Sequence, residues 1–367
     1  RSGLLLCGLR QRGAGHGIVA APTTSLPQWP RSARTWDYRY GWPRDTALAG
    51  LALLRLGLVE EARALGGFCG EACRDGETPA LLRVDGTAPP PEVTLDHLEG
   101  YGGARPVRIG NDAYKQRQHD VWGAVVESVY LHARSRDHLH DRLWPIVKHQ
   151  VENALRAWRD PDHGIWEVRG ERKHFTSSKL MCWVAADRGA RLARLREEQQ
   201  DAKRWQAAAD EIHADICTRG VDARGVFTQH YGSTALDASL LLMPLLRFLP
   251  PTDERIRATV TAIADELTVE GLVLRYNVTE TDDGLTGEEG TFAICSFWLV
   301  SALSEIGEHV RARQLCEKLL SYASPLELYA EELDPSSGRH LGNFPQAFTH
   351  LALINAVTHV IEAQQES

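Results

Sequence analysis

The sequence lacks long hydrophobic runs and any excess of positive charge. Its longest apolar segments, such as LLLMPLL at 240–246, are far shorter than the roughly 20 residues that cross a membrane. It has 41 Lys and Arg against 49 Asp and Glu, which gives a formal net charge of −8, and the basic residues are scattered. We therefore expect neither a nucleic acid nor a membrane as a partner.

The sequence also lacks a cysteine pattern that indicates disulfides or a metal site. Seven cysteines are an odd number for 367 residues, and no secretory signal is visible, so we expect a cytoplasmic protein. Cys69 and Cys73 lie four residues apart on a predicted helix, where packing explains them better than a metal. A second candidate set consists of His132, His138, His140 and Asp141. Its irregular spacing indicates a solvated turn, so we predict no metal site there.

Runs of alternating polar and apolar residues are too short to indicate a major sheet, and helical periodicity dominates instead. Phe292, Cys295, Leu299 and Leu303, for example, form one apolar stripe. This periodicity predicts about twelve helices, whose ends carry an error of a few residues. They span 2–11, 43–57, 59–75, 117–135, 139–158, 176–197, 201–219, 234–248, 252–268, 290–306, 308–322 and 343–362.

Short and long connections alternate between these helices. The short ones follow every even-numbered helix and indicate adjacent antiparallel pairs. Strict alternation places all the long connections at one end, an arrangement that a closed ring of six helical hairpins satisfies. We therefore predict an all-α fold, a single (α/α)6 toroid over residues 1–367, with an active site on the long-loop face. The long connections span 12–42, 76–116, 159–175, 220–233, 269–289 and 323–342.

The long loops collect aromatic and charged residues. Aromatic side chains cover the apolar faces of a sugar ring and charged groups bind its hydroxyls, so this composition suits a carbohydrate. Taken singly, each Trp is explained better as a core residue and each acidic pair better as part of a solvated loop. Their location on one predicted face favours a binding site. The segments are TWDYRYGWPRD (35–45), YGGARPVRIGND (101–112), GIWEVRG (164–170), LRYNVTETDDGLTGEEG (274–290) and LYAEELDPSSGRHLGN (328–343).

Two glutamates on separate loops fit the chemistry of glycoside hydrolysis. In that reaction one carboxyl group protonates the departing oxygen, and the other takes a proton from the attacking water. Glu167 directly follows Trp166, and a partly desolvated place beside an aromatic ring favours the protonated form that an acid needs. Glu331 lies in a polar loop, two residues after Tyr329, which suits the base.

Long motifs connect the chain to a known family. They are GIVAAPTTSLPQ (17–28), WDYRYGWPRD (36–45), ARPVRIGN (104–111), GIWEVRG (164–170), HFTSSKLMCWVAADR (174–188), EEGTFAICSFWLV (288–300), LYAEELDP (328–335) and LGNFPQAFTHLALI (341–354). Over nearly its whole length the chain resembles the catalytic domain of glycoside hydrolase family 15, the inverting glucoamylase-type enzymes. RQHDVWG (117–123) and DDGLTGEEGTF (282–292) are most similar to the actinobacterial, mycobacterial-type trehalases of that family.

This resemblance implies a role for each of several residues. Glu167 matches the general acid, Glu331 the general base, and Tyr38 a tyrosine that helps to hold the attacking water. Arg44 and Asp45 match a pair that grips the terminal glucose through its hydroxyls. The other candidates for substrate binding are Trp42, Trp166, Arg275 and Arg105.

The matches imply an inverting, exo-acting α-glucoside hydrolase, with trehalose as the expected substrate. Val168 stands where fungal glucoamylases have a second acidic residue, which weakens any transfer of their preference for starch. A glucoamylase or an isomalto-oligosaccharide hydrolase is the alternative within this class. A non-catalytic sugar-binding toroid, or a lyase or cyclase of the same fold, lies outside the class, and the two glutamates argue against both.

The expected mechanism requires no cofactor and no partner other than the sugar. The resemblance leaves open whether the enzyme depends on phosphate or Mg²⁺ and whether it forms a homo-oligomer. Bacterial members of the family commonly carry an N-terminal β-sandwich domain, and the chain begins at Arg1 rather than Met. We therefore expect the chain to be part of a longer product.

Overall fold

A computed structural model describes residues 1–11, 17–74, 76–135 and 138–365. These residues contain twelve α-helices, whose ends differ from the predicted ones by a few residues, with one exception given below. They are α1 (Ser2–Leu9), α2 (Pro43–Arg55), α3 (Val59–Ala72), α4 (Asp120–Arg134), α5 (Trp144–Ala157), α6 (Thr176–Leu195), α7 (Gln199–Arg219), α8 (Leu242–Leu245), α9 (Glu254–Glu266), α10 (Ala293–Glu305), α11 (His309–Ser321) and α12 (Ala347–Gln365).

The helices form two concentric rings. The even-numbered helices contact one another in chain order, and α12 contacts α2, which closes the inner ring. Between α6 and α10 the contacts run through the 3₁₀ turn Ala238–Leu241, which also contacts α8. Odd-numbered helices pack outside this ring: α3 on α2, α5 on α4, α7 on α6, α9 on the 3₁₀ turn that precedes α8, α11 on α10, and α1 on α12. Six hairpins therefore close a ring, which confirms the predicted (α/α)6 toroid.

Burial follows from the position of each helix in the two rings. In the inner helix α10 every residue from Ala293 to Ser304 is buried. In the outer helix α11 only one stripe at helical spacing is buried, formed by Ala312, Cys316 and Leu319. The inner helices are therefore apolar on most sides, whereas the outer helices are amphipathic.

Glycines allow the inner helices to approach closely. A Cβ atom on Gly123 of α4 would lie 2.2 Å from the backbone carbonyl oxygen of Met181 in α6. A Cβ atom on Gly189 of α6 would lie 2.5 Å from a methyl carbon of Val151 in α5. The contacts of α6 with both neighbours thus require residues without a side chain.

The eighth predicted helix, 234–248, is wrong in extent. The structure has the 3₁₀ turn Ala238–Leu241 followed by a single α-helical turn, α8. Asp237 accepts a hydrogen bond from the backbone N–H of Ser239 at 2.8 Å, which fixes where this segment begins. Pro244 has no N–H for a helical hydrogen bond, so the apolar run there does not build a longer helix.

The described strands are two residues long and lie in the connections. β1 (Val93–Thr94) pairs with β2 (Arg108–Ile109), and β3 (Thr268–Val269) pairs with β4 (Leu272–Val273). A third antiparallel sheet joins β5 (Thr291–Phe292), β6 (Glu332–Leu333) and β7 (His340–Leu341). Glu331 directly precedes β6, so the register of this sheet positions the predicted base.

The described residues contain no disulfide, no membrane-spanning helix and no group of side chains that could hold a metal ion. No disulfide joins any of the seven cysteines, all of which lie in the described residues, and Cys69 and Cys73 are buried in a small apolar cluster with Val121, Val125 and Ile146. In the described part of the chain, no helix has the length and hydrophobicity needed to span a bilayer. Nor do the described residues include three His, Cys, Asp or Glu side chains grouped to hold a metal ion.

Candidate active site

A polar pocket opens among the long connections and the first turns of the inner helices. It contains both predicted catalytic glutamates, Tyr38, and every predicted substrate-binding residue except Arg105. Its lining residues are Ala20, Tyr38, Trp42, Arg44, Asp45, Ile165, Trp166, Glu167, Arg275, Phe292, Ile294, Glu331, Gln346 and Phe348.

Glu167 is held in an unusual backbone conformation. Its φ angle is +58°, in the left-handed region that non-glycine residues seldom adopt. The side-chain amide of Gln116 donates to the carbonyl oxygens of Glu167, at 3.2 Å, and of Val168, at 3.1 Å. Such strain persists where surrounding contacts fix the backbone, and it is common at functional sites.

The carboxyl group of Glu167 is half-buried and receives two hydrogen bonds on one oxygen. The indole N–H of Trp42 donates to Oε1 at 2.6 Å, and the side-chain amide of Gln118 donates to the same atom at 2.9 Å. Gln118 is absent from the sequence-based candidates. Its position in the RQHDVWG motif is the sequence signal that could have indicated it. The two donors therefore hold Oε1 of the Glu167 carboxyl group in place.

Glu331 is almost completely buried, with 1% of its surface exposed. Its Oε1 accepts hydrogen bonds from the Tyr38 hydroxyl at 2.5 Å and the Gln28 amide at 3.2 Å, and its Oε2 accepts one from the backbone N–H of Asn343 at 3.4 Å. Burial raises the pKa of Glu331 to about 7, although these donors and the positive charge of Arg275 partly offset that rise.

Two neighbours of Glu331 have raised pKa values. Burial and the adjacent Glu331 raise the pKa of the Tyr38 hydroxyl well above its usual value, so this group remains a neutral donor. Burial also raises the pKa of Glu332 well above its usual value, and its Oε2 accepts a hydrogen bond from the backbone N–H of Gly290 at 2.6 Å. The hydrogen bond from Gly290 joins Glu332 of β6 to the residue that precedes β5, beside Glu331.

Arg44 and Asp45 begin α2 at the floor of the pocket and are both buried. Arg44 Nε donates to Asp45 Oδ1 at 2.8 Å, and Arg44 Nη1 donates to Asp120 Oδ2 at 3.0 Å. The guanidinium also lies 5.3 Å from the ring centroid of Phe348. Asp120, which the sequence-based candidates omit, therefore fixes the direction of Arg44.

Arg275 enters the pocket from the fifth long connection. It forms two hydrogen bonds with the carboxylate of Glu289, at 2.8 and 2.6 Å, and lies 4.9 Å from the ring centroid of Phe292. Glu289 also pairs with the buried Arg34 at 3.0 Å, and Arg34 pairs with Asp283 at 2.8 Å. This buried network holds Arg275 rigidly against the pocket.

Trp166 forms one wall of the pocket. Its indole N–H donates to Asp237 Oδ1 at 2.9 Å. Its ring packs against Phe292 and Trp298 with centroid separations of 5.8 and 5.9 Å. The hydrogen bond and the aromatic contacts together fix the orientation of the indole.

Arg105 is the one predicted binding residue that the structure does not bring to the pocket. It is exposed in the second long connection, between Gly103 and Pro106, and it does not line the cavity. Ala104 is fully buried and anchors this turn, which leaves the following residue on the outer surface. Arg108, three residues later, is the arginine of this loop that packs inward, with its guanidinium 4.6 Å from the ring centroid of Trp36.

Comparison with known proteins places this pocket in a family. The profile of the glycosyl hydrolases family 15 matches residues 6–358. The chain belongs to this family. It is 61% identical over its whole length to the trehalase of Mycolicibacterium smegmatis and 62% identical to that of Mycobacterium tuberculosis, and it spans 56% and 55% of those proteins. A bacterial glucoamylase complexed with acarbose shares the fold, with a TM-score of 0.79, 15% identity, and coverage of 99% of this chain and 55% of that one.

The side chains of the pocket fit the activity of the family. The family is one of glycosidases, and the pocket combines two carboxyl groups, fixed guanidinium groups and aromatic walls. The chain spans only about half the length of the trehalases that it matches.

Proposed function

We propose that the chain is the catalytic domain of an inverting, exo-acting α-glucoside hydrolase that cleaves trehalose into two glucose molecules. The observation that carries this proposal is the presence of Glu167 and Glu331 on one pocket. They approach it from different connections of the toroid, as an acid and a base on opposite sides of a sugar must.

In the proposed reaction Glu331 removes a proton from a water molecule as the water oxygen attacks the anomeric carbon. Glu167 gives its proton to the departing glycosidic oxygen as the carbon–oxygen bond breaks. The hydroxyl of Tyr38, 2.5 Å from Glu331, is placed to contact the same water. The configuration at the attacked carbon inverts because the water and the leaving group occupy opposite faces.

The terminal glucose is proposed to sit between the fixed charges and the aromatic walls. Arg44, Asp45 and Arg275 supply donors and acceptors whose directions are already set by buried partners. Preorganised groups of this kind lose little entropy when the hydroxyls of a sugar bind to them. Trp42 and Trp166 cover apolar parts of the ring.

Trehalose is favoured as the substrate by similarity of sequence. Relatives above 60% identity over the whole chain are trehalases, and Val168 replaces the second acidic residue of fungal glucoamylases. The isomaltose glucohydrolase of Kribbella flavida, 29% identical over 73% of this chain, marks the alternative specificity. The proposed mechanism uses no cofactor.

A substrate panel tests this proposal. Trehalose, maltose, isomaltose and soluble starch should be assayed with the full-length natural protein, with and without phosphate and Mg²⁺. We expect the highest kcat/KM with trehalose. A clear preference for starch or isomaltose under every condition would refute trehalose as the substrate and leave the glycosidase mechanism in place.

Variants of the two glutamates test their proposed roles as base and acid. Glu331→Gln should lose nearly all turnover on every substrate, because a neutral amide cannot accept the proton of water. Glu167→Gln should be equally damaging for trehalose but much less so for α-glucosyl fluoride, whose fluoride departs with little protonation. Near-normal turnover by Glu331→Gln would show that the base is another residue.

A further inference from the structure

Gln28 is a buried side chain that the mechanism above does not use. Only 1% of its surface is exposed, and it lies in the first long connection, 303 positions from Glu331. Its backbone N–H donates to the carbonyl of Arg34 at 3.1 Å, and its carbonyl accepts from the N–H of Gly290 at 3.0 Å. Both backbone polar groups of Gln28 are therefore hydrogen-bonded, which fixes the residue beside the pocket.

The direction of the Gln28 amide follows from its two partners. Its Nε2 lies 3.2 Å from Glu331 Oε1, and its Oε1 lies 3.4 Å from the indole nitrogen of Trp36. An indole N–H can only donate, so the amide oxygen must face Trp36 and the NH₂ group must face the carboxyl. Trp36 therefore determines that Gln28 presents a donor to Glu331.

Trp36 is itself held in place by charged neighbours. The guanidinium groups of Arg108 and Arg169 lie 4.6 and 4.9 Å from its ring centroid. Both arginines are bound to Glu92, at 3.1 Å each. The carbonyl oxygen of Trp36 accepts a hydrogen bond from the side chain of Asn343 at 3.0 Å. The indole thus has little freedom to turn away from Gln28.

We propose that Gln28 is a positioning residue for the general base, and that Trp36 acts through it by fixing the direction of its amide. This inference rests on the proposed function, in which Glu331 is the base. A neutral donor on Oε1 stabilises the ionised carboxylate, which is the form that accepts the proton of water. It also restrains the carboxyl plane, so that the same oxygen faces the pocket in each turnover.

The pH dependence of kcat/KM provides the test. Gln28→Met keeps the length and burial of the side chain but removes its donor, so the acid limb should move to higher pH by about one unit. Trp36→Phe keeps a ring against the two arginines and removes only the indole N–H, so the limb should move in the same direction by less. The double variant should move it no further than Gln28→Met, because Trp36 acts through Gln28.

Gln150 offers a matched control on α5. It is fully buried, its Nε2 donates to the carbonyl of Cys73 at 2.7 Å, and its Oε1 accepts from Thr78 at 2.9 Å. Gln150→Met should therefore lower stability as Gln28→Met does, without moving the acid limb. None of these substitutions changes the charged and titratable groups around Glu331 and Glu332, which are Tyr38, Glu167, Arg275 and Glu289.

A second readout does not depend on turnover. The free energy of unfolding should be compared between each background and its Glu331→Gln derivative over a range of pH. The raised pKa of Glu331 means that stability is lost as pH rises from about 4.5 to about 7, and Gln28→Met should extend this loss to higher pH. If no glucoside is hydrolysed, the proposed function fails, and this titration still measures the effect of Gln28.

An acid limb that stays in place in Gln28→Met, or that moves equally in Gln150→Met, would overturn the role of Gln28. If Gln28→Met does not fold, Trp36→Phe decides the question, and an unmoved limb there overturns the proposal. A double variant shifted by the sum of the two single shifts would show that Trp36 acts on Glu331 independently of Gln28.

Discussion

At the scale of single residues, the two glutamates have different surroundings. Glu331 is buried and receives donors on both oxygens, whereas Glu167 is half-buried and receives two donors on one oxygen. Residue type and neighbouring motifs were enough to nominate both from sequence. Their partners were not predictable, because Gln28 reaches Glu331 from 303 positions away and Gln118 reaches Glu167 from 49 positions away.

The raised pKa of Glu331 leads to a prediction about pH. A base works only when it is deprotonated, so kcat/KM should fall below the pKa of Glu331, which burial raises to about 7. We expect a fall of about tenfold per pH unit on the acid side. A pH profile measured well below KM checks this. A rate that stays level down to pH 5 would contradict the assignment of Glu331 as the base.

Gly342 provides a prediction about the space around the base. Its φ angle is +71°, and a Cβ atom there would lie 2.5 Å from Glu331 Oε2. Gly342→Ala should cost about 1–2 kcal/mol of stability from the left-handed backbone and should displace the carboxylate. We expect kcat to fall at least about a hundredfold, since a misplaced catalytic group is costly.

Gly232→Ala is the matched control for that variant. Gly232 has a φ angle of +78°, but nothing lies within 4 Å of a Cβ atom there. It should lose similar stability in chemical denaturation and keep its kcat. Equal activity of the two variants would show that contact between Gly342 and Glu331 is unimportant for turnover.

At the scale of secondary structure, helices were predictable and connections were not. Apolar periodicity located the helices because each buries a stripe or a whole surface in the two rings. It failed for 234–248, where Asp237 and Pro244 override an apolar run. It also gave no information on which side chains of a loop point inward, so Arg105 was chosen where Arg108 packs against Trp36.

The close approach of α4 and α6 leads to a prediction about stability. Gly123→Ala places a Cβ atom 2.2 Å from the carbonyl oxygen of Met181, so the helices must separate. We expect a loss of about 1–3 kcal/mol in the free energy of unfolding, as for other overpacked sites. Denaturant titration measures this loss.

We expect Gly66→Ala to have the opposite effect on the free energy of unfolding. Gly66 lies in α3, is exposed, and has nothing within 4 Å of a Cβ atom. Alanine there should stabilise the protein by about 0.5–1 kcal/mol, because it reduces the entropy of the unfolded chain. If both variants destabilise equally, the contact between α4 and α6 is not what makes Gly123 necessary.

At the scale of the whole molecule, the ring places the beginnings of the inner helices and the long connections at one end. The alternation of connection lengths contained this information, so the toroid and its functional face were predicted from sequence. The buried polar networks that orient Arg44 and Arg275 depend on distant parts of the chain and appear only in three dimensions. That a β-sandwich domain precedes the toroid stays a prediction, and the intact mass of the natural product tests whether the chain is part of a longer product.

The stereochemistry of the first products tests the central claim most directly. An inverting enzyme that cleaves α,α-linked trehalose releases one β-glucose from the attacked ring and one α-glucose from the departing ring. Proton NMR of a fast reaction, recorded before mutarotation, should therefore show equal amounts of the two anomers. Release of α-glucose alone would mean retention of configuration, and it would contradict the proposed roles of Glu167 and Glu331.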